Sequence, residues 1–335
     1  MRKLLLGLVS IFTLGIAAGC NQTEQVDVSS DKNVEAETYH IKLGHVLDSR
    51  HPYHLGAEKW KELIEEKSEG RIKIDLFHSS QIGGESQLQE GMRGNTIQAA
   101  IIGSTLGMLD SAFYVNDLPY VYDTAEEAHK KLDGELGTEL FSRLDAKGLK
   151  GLAWWEQGYR NVSTTNKPVH KPEDLKGLKI RVPETHTYID TFNVLGANAI
   201  TIPFAELFTA LESKVVDGQE NPIAQIYTSK LYEVQNHVSL TEHFYGTAAL
   251  VISLDFYNSL PDDLKKIVDE ASIEARDYER EQSAIQSKEF IAELKAAGVN
   301  VIEDIDKEAF KEATKSVIEM NEEAIGKDIL ELLRK

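Results

Sequence analysis

Between Pro261 and Gly298 the chain has neither proline nor glycine, and its residues there strongly favour helix. At 1.5 Å per residue a helix over that span would run to ~50 Å, longer than a small domain is wide. The stretch is therefore either one long rod or two helices with an uncapped break between them. The roughly 300 residues beyond a polar N-terminal segment suggest two domains on length alone.

Elsewhere, strand-like and helix-like segments alternate. Tyr39, Ile41 and Leu43 have the period of a strand, and Pro52 opens a helix with Trp60, Leu63 and Ile64 on one face that stops at Gly70. Ile72, Ile74 and Leu76 alternate again, and Leu88 and Met92 share one face of a short helix before the run Ile97 to Ile102. The order returns at Ala199–Ile202, followed by Leu207, Phe208 and Leu211 at helical spacing. This alternation indicates α/β architecture with open sheets, and no internal repeat is visible.

The N-terminus reads as an export signal. Arg2 and Lys3 precede a mostly apolar run from Leu4 to Ala18, too short for a membrane span. It ends Ala17-Ala18-Gly19-Cys20, which resembles a bacterial lipoprotein cleavage site. Cys20 is the single cysteine of 335 residues and the expected point of lipidation. With two acyl chains it would be a stable membrane anchor, and its sulfur would be unavailable for a disulfide. Asn21 to about Glu37 is polar and aperiodic, as a disordered tether would be. The expected division is thus a signal over 1–19 and a tether over 20–37.

Loss of Arg2 and Lys3 leaves 34 of the 36 basic residues against 55 acidic ones, a net charge of −21. Such an acidic surface excludes a nucleic-acid partner, since there is no basic footprint to displace phosphate counterions. It does not exclude an anionic ligand. Beyond a Debye length of ~8 Å the bulk charge is screened, so local arginines decide binding.

Two arginines stand out. Arg181 ends a short apolar strand in Asp174-Leu175-Lys176-Gly177-Leu178-Lys179-Ile180-Arg181-Val182-Pro183, on the face opposite Leu178, Ile180 and Val182. Arg160 lies in Trp154-Trp155-Glu156-Gln157-Gly158-Tyr159-Arg160-Asn161, read as a Gly-aromatic turn after the strand Leu149 to Ala153. A third segment, Val216-Asp217-Gly218-Gln219-Glu220-Asn221-Pro222, reads as a turn holding two amides and two acids. An arginine fork matches a carboxylate bidentately, each charge-assisted bond contributing about 1.5–3 kcal/mol.

These motifs resemble the DctP-type solute-binding proteins of tripartite ATP-independent periplasmic (TRAP) transporters, over nearly the whole chain beyond the signal. The resemblance implies a two-lobed periplasmic-binding-protein-like fold with a hinge, a ligand cleft between the lobes and a single long helix spanning both. It implies lobes discontinuous in sequence, expected as 38–157 with 247–286 and 158–246 with 287–335. It also implies that Arg181 holds a ligand carboxylate, helped by Asn221, and that Arg160 and Phe204 (in Ile202-Pro203-Phe204-Ala205-Glu206) line the site. His45, Glu85, Ser104 and Glu184 align with family site positions by place rather than by residue type. His45 and Ser104 follow strands, where ligands of open α/β sheets bind. The run Trp154–Asn166 and Gly196–Ile200 into Phe204 resemble the branch that takes sugar acids such as diketogulonate or uronates.

The expectation is therefore an extracytoplasmic receptor, not an enzyme, without cofactor or metal. It would carry a small organic acid, a uronate or related sugar acid before a C4-dicarboxylate, to membrane permease subunits. Two other readings compete. His40, His45, His51 and His54 would suit a metal-binding lipoprotein, but His40 and His45 lie on opposite faces of one strand and no thiolate is available. A catalyst lacks support, since Gly103-Ser104-Thr105-Leu106-Gly107 has its serine one place early for a nucleophile elbow and no nucleophile–base pair appears.

Overall fold

The computed structural model describes residues 37–335; the signal, Cys20 and nearly all of the expected tether lie outside the described residues. The first half begins β1 (Tyr39–Gly44), α1 (Pro52–Lys67), β2 (Ile72–Phe77), α2 (Glu85–Arg93) and β3 (Ala99–Ile102). Helices α3 (Ala125–Leu132) and α4 (Glu135–Asp145) lead to a 16-residue strand, β4 (Leu149–Thr164). The second half holds β5 (Lys179–Val182), α5 (His186–Val194), β6 (Asn198–Thr201), α6 (Leu207–Glu212), β7 (Gly218–Pro222) and α7 (Ile223–Thr228). A 17-residue strand, β8 (His237–Ser253), returns the chain to α8 (Leu254–Ser259) and α9 (Asp262–Ala296). Then come β9 (Asn300–Ile302), α10 (Lys307–Thr314), α11 (Ser316–Ile325) and α12 (Lys327–Arg334).

The nine strands among the described residues form one sheet in the order β2-β1-β3-β8-β4-β7-β5-β6, with β9 beside β8. Each end is a parallel βαβ set: β1 with β2 and β3, and β5 with β6 and β7. The two ends are joined through the antiparallel pair β4–β8, which runs the length of both. The Gly-aromatic turn expected before Arg160 is absent. The strand continues through it, with register shifts at Gly151/Ala153, Glu156/Gly158 and Arg160/Val162. Gly158 takes φ +83° at the central bulge, a left-handed conformation that glycine adopts without steric cost. A bulge bends a strand and raises its twist without ending the ladder, which a motif reading of Gly-Tyr-Arg does not distinguish from a turn.

The α9 stretch is one helix of 35 residues. Its inward residues Leu264, Val268, Ala271 and Ala275, at spacings of three and four, join the large core with Ile41, Trp60, Trp155 and Leu250. Nearer its end Leu294 joins a different cluster with Leu211, Ile226 and Val299. The helix therefore serves both ends of the sheet, and Trp60 pins α1 to it by donating to Ser272 Oγ at 2.9 Å in the core. One expected boundary differs. Residues 287–335 are expected with the second lobe, yet α11 and α12 bury Val317, Ile325, Ile329 and Leu330 in the large core of the first. Their apolar spacing specifies a helix face but not the core that receives it.

The histidines near β1 do not converge as ligands. His40 is exposed, His45 Nε2 lies 3.1 Å from His54 Nδ1, and among the described residues no group of three or more His, Cys, Asp or Glu is placed to hold a metal. His51 acts locally as the N-cap of α1, its Nδ1 accepting from Tyr53 N at 3.1 Å. Fully buried with Nε2 unpartnered, it is pushed down to about 3 by burial, against a small opposing pull from Asp48. A histidine depressed on folding contributes stability present above its unfolded value of ~6.5 and lost as pH falls towards the folded value. Asparagine keeps a capping oxygen and cannot titrate. Between pH 6.5 and 5 the wild type should lose about 1.6 kcal/mol more unfolding free energy than His51→Asn in urea titrations. Equal losses would assign the acid sensitivity to other groups.

Candidate functional site

A cavity of about 590 Å³ opens where the parallel strands of both ends terminate. Val46 follows β1, Ser104 and Thr105 follow β3, Pro183 and Glu184 follow β5, and Pro203 and Phe204 follow β6, each reaching the lining within three residues of its strand's end. This is the position where open α/β sheets bind ligands. The first turn of α2, whose N-cap Gly84 has no side-chain cap, also faces the cavity and adds the positive end of a helix. Seven of the eight sequence-predicted residues line it: Arg160, Arg181, Asn221, Phe204, Glu85, Ser104 and Glu184. His45 does not. Its neighbour Val46 takes that place, while His45 turns into the protein against His54 and Tyr53. Successive residues leaving a strand face opposite ways, so an error of one position reverses the side.

The floor is built on β4 and β7. The segment Gly218–Pro222, a turn by its sequence, is a strand buried throughout, with Val162 opposite Glu220 and Arg160 opposite Pro222. Across the diagonal, Arg160 forks onto Glu220: Nε donates to Oε2 at 2.6 Å and Nη2 to Oε1 at 2.7 Å. Nη2 also reaches Asn221 Oδ1 at 3.0 Å, and Nη1 reaches Gln157 Oε1 at 2.8 Å. Burial works against the charge on each partner, but their attraction prevails, holding Arg160 above and Glu220 below the ordinary range. His243, held low by burial, stays neutral and donates from Nε2 to Glu220 at 3.3 Å while its Nδ1 takes the hydroxyl of Thr241 at 2.8 Å.

Arg181 is different. It is 2% exposed, its Nε donates to Ile202 O at 2.7 Å, and Phe204 lies 6.0 Å from the guanidinium. No carboxylate pairs with it, and both its Nη groups are without a partner among the described residues. Burial pushes it down to about 10, Glu220 pulling it up and Arg160 repelling it. At neutral pH it is therefore a desolvated cation facing the cavity. Glu184 is exposed and makes no ion pair with it.

Glu85 serves the wall more than the cavity. It accepts from Gly103 N at 2.9 Å and Thr105 Oγ1 at 2.5 Å, fixing the turn that carries Ser104, and burial raises it despite those bonds. The sequence reading missed Glu220, Gln157, Gln225 and His243. For Glu220 a signal existed: a second buried arginine in an aromatic segment requires a counter-charge, and the segment Val216–Pro222 contains one. Gln157 and Gln225 carry no spacing or composition that separates them from surface glutamines.

Residues 43–324 match the family designated DctP, bacterial extracellular solute-binding protein, family 7. The chain belongs to this family. Its members are solute-binding receptors of TRAP transporters. The 2,3-diketo-L-gulonate-binding periplasmic protein YiaO of Escherichia coli is 37% identical over 274 residues, covering 82% of this chain and 84% of the relative. The C4-dicarboxylate-binding protein DctB of Bacillus subtilis is 34% identical over 270 residues, 80% of this chain and 77% of the relative. The crystal structure of the sugar acid binding protein DctPAm from Advenella mimigardefordensis, in complex with galactonate, matches with a TM-score of 0.87 at 32% identity. That match covers 90% of this chain and 98% of the other, so the two-lobed receptor fold is shared.

The two arginines should separate in stability measurements on the ligand-free protein. Glu220→Ala strands Arg160 as an uncompensated buried charge and should destabilise by about 3–5 kcal/mol in urea unfolding. Arg181→Met removes a charge that has no partner and should be neutral or stabilising. If Arg181→Met costs as much as Glu220→Ala, Arg181 is a structural cation and not a ligand group.

Proposed function

We propose that this protein is the extracytoplasmic receptor of a TRAP transporter, taking up a small organic acid, preferentially a uronate or related sugar acid, for delivery to its membrane permease. One observation carries the reading: Arg181 is a buried arginine at the cavity wall with no anion of its own. A ligand carboxylate would complete it bidentately, with the second amide hydrogen of Asn221 beside it. The neighbouring arginine is already satisfied by Glu220, so in this reading Arg160 anchors the floor rather than gripping the acid.

A sugar acid is favoured over a simple diacid by the polar lining. Ser104, Gln157, Gln225 and Gln87 surround the cavity, and a hydroxylated chain offers them partners where bare methylenes would not. YiaO and the galactonate complex of DctPAm support that branch. The C4-dicarboxylate reading is kept as the second, since DctB is a comparably similar relative.

Capture would proceed by closure of the two ends of the sheet on the ligand, with the hinge where β4 and β8 cross at Gly158 and Gly246, dividing 38–157 from 158–246. Closure would exclude water and strengthen the Arg181 pairing. Anchoring through Cys20 belongs to the same proposal. No helix among the described residues is long and apolar enough to cross a membrane.

A thermal-shift and calorimetric screen against uronates, aldonates and dicarboxylates tests the assignment. A true ligand at a hundred times its dissociation constant should stabilise the fold by about 2.7 kcal/mol. Arg181→Lys should lose most of that stabilisation, because a point charge does not reproduce the fork. The radius of gyration from small-angle scattering should fall on binding. No response to any acid would overturn the receptor assignment, and a response confined to succinate-like acids would move it to the second reading.

A further inference from the structure

Gln225 is the most conspicuous unsatisfied group at the cavity. It projects from α7, lines the pocket, and is 4% exposed. Its Oε1 is buried with no hydrogen-bond partner, and its amide nitrogen has none among the described residues either. Turning the amide over does not help, because one of its two polar ends is then buried and unpaired in the same way. An amide so placed carries an uncompensated desolvation penalty. A polar partner arriving in the cavity would remove it.

Gln157 is the counterpart on β4, also 4% exposed and part of the lining. Its orientation is forced. An arginine has no acceptor, so the amide facing Arg160 Nη1 must present its oxygen, which it does at 2.8 Å. Its NH2 group is left on the other side without a well-formed hydrogen bond. The hydroxyl of Tyr53, itself buried and unpartnered, lies near it, and Glu85 Oε1 shares the slot over Gly103. Two glycines hold the amide in this slot: a Cβ on Gly103 would come within 2.4 Å of Nε2, and one on Gly246 within 2.8 Å of Oε1. Arg160, locked by Glu220, thus sets which face of Gln157 meets the ligand.

We infer that Gln225 and Gln157 are hydroxyl-reading residues of the ligand site, so that the receptor selects carboxylic acids bearing hydroxyl groups along the chain and discriminates against their deoxy analogues. The inference rests on the receptor reading above and adds the basis of its selectivity. A hydroxyl both donates and accepts. It can pair with the Gln225 amide in either orientation and takes the N–H of Gln157, whereas a methylene offers neither amide a partner. Sites that hydrogen-bond a substrate hydroxyl reject the analogue lacking it far more strongly than apolar pockets reject an added group.

The test uses galactonate, gluconate, glucuronate and galacturonate, with singly deoxygenated forms of whichever binds, titrated calorimetrically into wild type, Gln225→Met and Gln157→Met. Wild type should disfavour at least one deoxy form by ~10- to 100-fold, the equivalent of one or two buried hydrogen bonds. In Gln225→Met that discrimination should collapse to about threefold or less at the hydroxyl it reads, and Gln157→Met should do the same at another. Since parent and deoxy acids are compared within one variant, a general folding defect weakens both and leaves their ratio unchanged. Gly103→Ala, which crowds the Gln157 amide without touching its chemistry, should reproduce the Gln157→Met pattern. Tight binding of a hydroxylated acid with undiminished discrimination in both methionine variants overturns the inference while leaving the receptor reading intact. Failure of every acid to bind wild type overturns both.

Discussion

The Arg160–Glu220 pair sits under everything else in the cavity. Both groups are almost fully withdrawn from water, and each is tolerable there only because the other is within 2.6–2.7 Å. The pair is neutral as a unit, and the floor it forms therefore contributes geometry more than charge. From the arginine fork hang the amides of Gln157 and Asn221, both with their oxygens turned inward to it, while the nitrogen of Asn221 donates to Gln219 Oε1. With the floor balanced, Arg181 is the cation of the wall that no carboxylate pairs within hydrogen-bond distance among the described residues. A receptor for an acid needs both properties: a rigid scaffold that does not compete for the anion, and one cation that the scaffold fails to satisfy.

Much of this architecture is legible in the residues because it depends on periodicity. Alternating Ile72, Ile74 and Leu76, or the unbroken helix-forming run after Pro261, specify their elements locally, and tertiary packing only confirms them. What escapes depends on neighbours distant in sequence. Gln219, Glu220 and Asn221 form no apolar pattern, so they read as a turn; they are a strand because β4 and β5 flank them and the buried network satisfies their side chains. The helices α11 and α12 fall to the wrong core in a sequence reading because an amphipathic face does not encode its address. His45 fails for a smaller reason, one residue of phase at the end of β1.

The site shows the same division. Arg181 and Arg160 are visible as a pair, but not that one is satisfied and the other is not, since that difference lies in side-chain geometry across the β4–β7 register. Position alone offers Glu85 as a contact for ligand hydroxyls, whereas its carboxylate ties down the Gly103–Thr105 turn. Family resemblance carries the expectation to one cavity; the hydrogen-bond network then redistributes the roles within it.

The continuous sheet has a mechanical consequence. Two lobes joined by flexible linkers can swivel about a few peptide bonds at almost no elastic cost. Here β4 and β8 pair from Leu149–Ser253 to Thr164–His237, with α9 laid along them, so the lobes share one hydrogen-bonded ladder interrupted by three register shifts. Displacement has to be distributed as curvature over the bulged residues, in the manner of a leaf spring. The restoring force would then be a property of the whole central ribbon, and the empty and occupied shapes would be two deflections of one beam.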